Sequence, residues 1–332
     1  MLKPLFYPMA TGSIANIADG AFLRRLNRAA RRLFPRTTIK SAGERVLFVV
    51  RYCEHLPQSR RWLDFIERGA MAEITALNPH LYKKIIRPYV CKSWTTARKL
   101  KALTDNYQFW MEAVPPEIVR GVFTTRGITL HELATKNDRL TLRLRYDTRF
   151  NKEGEATLEL ISTKHDCRIS ALAFTVSTSI RGAPTMLIGC IQGLPAEMDK
   201  NIIKEVTKEM HGLRPKALLL QLSQELAAAL GITAILGISN RAHISQHWNY
   251  ALNRTRRPNL GYDEFWQEMG GLAGPDGFFK LPLMLQPRTH EEIKPNKRAL
   301  YKQRYELIEQ LQGAIRSRLK SFGFPSKNTL QN

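Results

Sequence analysis

The chain has 332 residues, 43% of them hydrophobic, and carries 51 Lys and Arg against 29 Asp and Glu, a formal charge of +22. The length suits about two globular domains with a sizeable core, and the charge predicts attraction to polyanions: nucleic acid, anionic lipid head groups or phosphorylated ligands. No apolar run approaches the ~18 residues of a membrane span. The four cysteines at 53, 91, 167 and 190 lack CxxC spacing, so no zinc site is expected, and reduced, mostly buried thiols are.

The surplus is concentrated early. Residues 1–60 hold eleven Lys and Arg against three acids, and residues 81–104 hold seven basic groups and no acid. MLKPLFYPMATGSIANIADG lacks the clean apolar stretch of a signal peptide. A cytoplasmic protein is therefore expected, soluble or peripheral on the inner face of the inner membrane. Residues 19–34, DGAFLRRLNRAARRLF, space Phe22, Leu26, Ala29, Ala30 and Leu33 as one helical face. Arg24, Arg25, Arg28, Arg31 and Arg32 fill much of the rest. Such a helix either lies on an anionic membrane or packs on its own domain. Residues 44–77 and 93–113 read as further helices, punctuated by Pro57, Asn78-Pro79, Arg87-Pro88 and Pro115-Pro116.

The pattern then changes. TLRLRYDTRF alternates apolar and polar residues, and ATLELIS, RISALAFTVSTSI and TMLIGCIQG follow at short spacing. These four runs predict an antiparallel meander. Two helices come next, EMDKNIIKEVTKEMHG and PKALLLQLSQELAAALG, the second with Pro215 in its first turn and Gly231 at its end. TAILGIS predicts a short buried strand, GYDEFWQEMGG a short helix, DGFFKLPL a last strand, and residues 295–320 a helix of mixed charge.

This order of elements is similar to that around the cofactor site of the GNAT acyltransferase fold. There an acyl-CoA pyrophosphate meets the backbone N–H groups and dipole of the central helix. By that likeness Gly212, Arg214 and Lys216 become phosphate-holding candidates, Gln192 and Asn240 line the ligand cleft, and Glu209 or His211 is the candidate base. The likeness has faults. An extra helix precedes the turn, the turn has one glycine, and Pro215 removes an amide. Asn240 reads first as a cap of the next helix and only second as a ligand contact. His243 and His247 stand four apart, but HISQH lacks the HExxH glutamate, so no metal is expected. Neither a Walker loop nor a GxGxxG fingerprint occurs.

The predicted fold class is α+β. A basic, mainly helical region (1–135) precedes a GNAT-like mixed sheet with an antiparallel β-meander and helices (136–286). A charged C-terminal helix and tail follow (287–332).

Several blocks in one order resemble the VirK/YbjX family of Gram-negative bacteria: IGCIQG (188–193), KEMHGLRPKALLL (208–220), ILGISNRAHI (235–244), YDEFWQEMGG (262–271), FKLP (279–282) and KRALYKQRYELIEQL (297–311). The resemblance implies a role in virulence, envelope integrity and tolerance to cationic antimicrobial peptides. It implies no catalytic residue. Two expectations therefore stand together. One is an acyltransferase using an acyl-CoA or acyl carrier protein thioester. The other is a non-enzymatic peripheral factor that keeps the fold. In both, the basic N-terminal third meets anionic inner-membrane lipid or an acidic carrier protein. Specific nucleic-acid binding is not expected, because only net charge speaks for it.

Overall fold

The first third is helical because prolines divide an otherwise continuous helical pattern. In a computed structural model describing residues 20–123, 126–246 and 261–324, helices α1 (Gly20–Leu33), α2 (Ile39–Glu54), α3 (Leu56–Ile66) and α4 (Gly69–Leu77) lead into a 3-10 turn at Pro79–Lys83. Helices α5 (Thr96–Ala113) and α6 (Pro116–Val122) follow. Pro57, Pro79 and Pro116 each occupy a first turn, where the missing N–H has no helical partner to lose. Thr38 and Thr95 cap α2 and α5 by accepting from Ser41 N and Arg98 N. The apolar face of α1 is turned inward: Phe22, Leu26, Ala29 and Ala30 are all buried. Arg25 clasps Asp64 and Glu67 of the α3 region at 2.8 Å each. Of the two seats foreseen for this helix, its apolar side takes the one within its own domain.

Eight strands form one open sheet in the order β1-β2-β3-β4-β5-β6-β8-β7. They are β1 (Ile128–Ala134), β2 (Arg139–Arg145), β3 (Ala156–Ser162), β4 (Cys167–Ser177), β5 (Thr185–Gln192), β6 (Ala234–Ile238), β7 (Leu272–Ala273) and β8 (Phe278–Leu281). Every neighbouring pair is antiparallel except β5 and β6. The four expected runs are β2 to β5. The meander has a fifth strand, β1, that alternation does not reveal. Its pairing shifts between Thr129 and His131, so the inward residues Leu130 and Leu133 fall three apart. A β-bulge thus hides the period of two.

Parallel pairing of β5 with β6 requires a crossover. Helices α7 (Lys200–Glu209) and α8 (Pro215–Ala229) supply it. Eleven of the fifteen residues of α8 are buried, and it packs on β3, β4, β5 and the C-terminal helix α10 (Arg298–Ser321). Helix α9 (Tyr262–Glu268) seats Trp266 on β6, and its indole Nε1 donates to the Ile238 carbonyl at 2.8 Å. A Cβ on Gly237 would stand 2.6 Å from that ring. One apolar core runs from Phe22 through the sheet to Phe324, so the helical third and the sheet share an interior. Among the described residues no helix is long and apolar enough to cross a membrane.

A candidate site where the parallel strands part

β5 and β6 pair only from Thr185–Ala234 to Ile188–Gly237. On its other side β5 changes register: Ala173 faces Cys190 and Phe174 faces Ile188, which leaves Gly189 as an extra residue. That bulge bends β5 where its bonds to β6 end. The space is crossed by the 89–92 segment, where Lys92 N donates to the Ala242 carbonyl at 2.9 Å.

Gly189 also decides what lies over the strand. A Cβ there would be 2.0 Å from the Glu153 carbonyl, so the loop joining β2 to β3 packs directly on backbone. Several bonds hold this loop. Asp147 accepts from Arg149 N at 2.9 Å, Val90 N donates to the Lys152 carbonyl at 2.7 Å, and Lys84 Nζ donates to the Asn151 carbonyl at 2.5 Å. Phe150 rests on Ala171, Ala173 and Cys190 in a small cluster of its own. Glu153 is thereby pinned at the parting of the strands. Burial pushes its carboxyl up to about 7, against the opposing pull of Lys152 and Lys84. Half-buried and close to neutrality, it is a carboxyl able to exchange a proton at physiological pH.

Cys190, Tyr262, Lys216, Arg168 and His243 surround the same place. Burial holds the Cys190 thiol far above its ordinary value, so it is a wall and not a nucleophile. The Tyr262 hydroxyl is buried beside that sulfur without a well-formed hydrogen bond, and its pKa is raised, first by burial and then by Cys190 and Glu153. Nε and Nη1 of Arg168 are buried and unpartnered while its guanidinium lies 4.8 Å over the Phe150 ring. The Lys216 ammonium is depressed by burial and by neighbouring Arg214. His243 falls to about 4 through burial and is neutral at pH 7. Its Nδ1 accepts from Ser245 N at 3.1 Å, which puts the proton on Nε2, an atom directed at the Gly189 backbone without a well-formed hydrogen bond. Buried polar atoms are ordinarily paired, and several orphans at one point mark a place able to receive a ligand.

The residues singled out from sequence fall in three places. Lys216 comes close to this cluster, near enough for its charge to act on the Cys190 thiol. Gln192 is exposed at the end of β5, its carbonyl accepting from Ser170 Oγ at 2.7 Å. Gly212 and Arg214 line a cavity of about 230 Å³ with Arg288, Arg304 and Glu268. There Arg214 pairs with Glu268. His211 and Gly212 both have positive φ, 53° and 72°, and the His211 carbonyl accepts from Arg304 Nε at 3.2 Å. Glu209 is tied to the β1–β2 turn, accepting from Thr135 Oγ1 and, at 2.7 Å, from Asn137 Nδ2. Asn240 holds the start of α9 from 22 residues away, the N-cap position itself being Gly261. Its Oδ1 accepts from Tyr262 N at 2.9 Å while its own N–H donates to Asp263 at 2.7 Å, which fixes α9 and therefore Tyr262. Glu153, Cys190, Tyr262 and Arg168 were not foreseen as site residues, because chain separation conceals their meeting. The glycine in IGC was the available signal.

All four cysteines are free; Cys91 and Cys190 are buried, Cys167 is half-buried and Cys53 is exposed. Among the described residues no group of His, Cys, Asp and Glu could hold a metal ion. His247, the second histidine of HISQH, lies outside them.

Residues 37–317 match the model of a family described as "Protein of unknown function (DUF535)". The chain belongs to this family. The DUF535 chain is 29% identical over 235 residues to the "Uncharacterized protein YbjX" of Escherichia coli (strain K12), covering 70% of each. It is 26% identical to an uncharacterized protein of Haemophilus influenzae over 68% of this chain and 73% of the relative. It is also 26% identical to "Membrane protein LapB" of Mannheimia haemolytica, over 64% of this chain and 91% of that protein. The resemblance to the YbjX and VirK proteins of Gram-negative bacteria therefore holds over most of the DUF535 chain.

Proposed function

We propose that this protein works at the Gram-negative envelope, from the cytoplasmic face of the inner membrane, and supports tolerance to cationic antimicrobial peptides. In this reading it is a GNAT-like acyltransferase that uses an acyl-CoA or acyl carrier protein thioester to modify an envelope component. The observation that carries the reading is the cleft where β5 leaves β6, with a near-neutral Glu153 above it and the first turn of α8 at its edge. The name of the Mannheimia haemolytica relative, a membrane protein, supports the setting.

The residues present suit an anionic thioester carrier in two respects. Arg168, His243 and Tyr262 offer buried donors without well-formed hydrogen bonds, and Arg214, Arg288 and Arg304 line a cavity beside the turn. Pro215, at the start of α8, is the feature that suits it least, since it removes one amide. A bound thioester would supply the activated acyl carbon. Glu153, ionised above about pH 7, accepts the proton of an attacking amine or hydroxyl. Tyr262 keeps its proton at neutral pH and holds it next to Cys190, where a leaving sulfur can take it. His243 Nε2–H is a neutral donor for developing negative charge on oxygen. Lys216 and Arg214 stand on the phosphate side.

The test is thermal melting of the full chain with CoA, acetyl-CoA, a long-chain acyl-CoA and an acyl carrier thioester. A ligand that binds only the folded state raises the melting point as its concentration passes Kd. We expect a saturable rise that Arg214→Glu abolishes, and acyl transfer that Glu153→Gln removes while binding persists. The absence of any shift up to about millimolar ligand overturns the acyl-transfer reading. It would leave the non-enzymatic envelope factor, which the Arg214–Glu268 pairing and Pro215 favour.

A further inference from the structure

The geometry points to the outward face of α2 as a membrane-docking surface: an apolar stripe with basic surroundings that seats on an anionic bilayer. The helix is apolar on two sides. Phe48 and Tyr52 turn inward and are buried. Opposite them Ile39, Val46, Leu47 and Val50 are 94%, 64%, 49% and 46% exposed. At 3.6 residues per turn these four fall within an arc of about 100°. Ala42 and Gly43, also exposed, continue the arc without adding a polar group. Single exposed apolar residues are ordinary, but a continuous row along three turns marks a surface that meets something.

Charge selects what it meets. Residues 20–54 carry nine Lys and Arg against only Glu44 and Glu54. Helix α1 packs beside α2 and exposes Arg24, Arg28, Arg31 and Arg32, while Arg36 and Lys40 are exposed at the mouth of α2. An apolar stripe within such a field matches an anionic bilayer twice, through insertion of side chains among acyl chains and through attraction to head groups. Helix α1 offers mainly the second, because Phe22, Leu26, Ala29 and Ala30 are in the core and Leu23 is its one exposed large apolar residue. The stripe lies along a helix that needs no rearrangement to present it. The inference is independent of the chemistry proposed for the cleft.

The test uses the full chain and flotation with phosphatidylcholine vesicles, with and without about 30% phosphatidylglycerol. The wild type should float with the anionic vesicles and scarcely with neutral ones. Val46→Ser, Leu47→Ser and Val50→Ser together should weaken that binding by about tenfold or more, with circular dichroism and melting unchanged. Separately, a Leu47→Trp variant should shift its emission to shorter wavelength when anionic vesicles are added. A triple-serine variant that floats as well as the wild type overturns the inference. So does an emission spectrum of the Leu47→Trp variant that bound vesicles leave unmoved. Equal flotation with neutral vesicles also overturns it, because the proposed surface selects an anionic bilayer. Self-association in the absence of lipid, lost in the triple variant, assigns the stripe to a second copy of the chain and also overturns it.

Discussion

Glu153 and Glu155 lie two residues apart on one loop and have opposite surroundings. Glu155 is fully buried between the helical third and the sheet. Lys84 Nζ meets one of its oxygens at 2.6 Å and the Tyr107 hydroxyl donates to the other at 2.5 Å. Burial alone would lower the Lys84 ammonium, but Glu155 and Tyr146 outweigh it and hold it above the usual lysine value. Glu153, by contrast, stands over the parting of β5 and β6 with its carboxyl raised to about 7. A buried charge with a cation and a hydroxyl on its two oxygens is part of the fold; one whose desolvation outweighs the pull of its neighbours is held ready to change its proton. The difference separates the junction that assembles the molecule from the place where β5 and β6 part, the place that the proposed chemistry would use.

The junction should yield the largest effect when broken. Lys84→Met leaves Glu155 buried and uncompensated, and urea unfolding should show a loss of about 3–5 kcal/mol. Adding Glu155→Gln should return part of that loss, because the uncompensated charge is then gone. Next comes the backbone contact that positions the cleft. Gly189→Ala places a Cβ against the Glu153 carbonyl, and should cost about 1–3 kcal/mol in the same assay, since the loop must move.

Glu153→Gln sharpens the contrast through pH. The carboxyl pKa is raised on folding from 4.5 to about 7. Its stabilising contribution is complete below about 4.5 and is lost as pH rises through about 7. Melting curves of the wild type should therefore contain a component that declines across this window. Glu153→Gln should flatten it and gain about 1–2 kcal/mol at pH 8, one pKa unit being about 1.4 kcal/mol before solvent screening. The smallest effect on stability belongs to Arg214→Glu. Its ion pair with Glu268 is exposed, so unfolding should change by about 0.5 kcal/mol or less, while thioester binding is lost.

Much of the architecture could be read from local pattern. Four strands of the meander announced themselves, the first by alternation and the others as short runs between turns, α8 by its Pro215 start and Gly231 end, and the helical third by its prolines. β1 did not, because a bulge broke its period. The candidate site was legible only in part. Lys216 follows from the position of a helix start, and it does come close to the cluster around Cys190. Glu209 and His211 stood out through residue type and neighbourhood, yet Glu209 is tied to a hairpin 74 residues earlier in the chain. Glu153 reads in sequence as one more charge in a turn. The helical reading of residues 44–77 does not say which side of α2 is buried, and only packing shows that Val46, Leu47 and Val50 face out.

By itself, the sequence determined element type, order and net charge, because helical and strand periods, proline and glycine act over a few residues. It also determined membership in the DUF535 family, because those blocks persist in order along the chain. Tertiary structure alone decided which carboxylate is satisfied and which is poised. Pairing depends on groups brought from dozens of residues away: Lys84 and Tyr107 come to Glu155, while a bulge at Gly189 opens the sheet beneath Glu153. A charge's solvation is a property of everything packed around it, and no local stretch of chain encodes that.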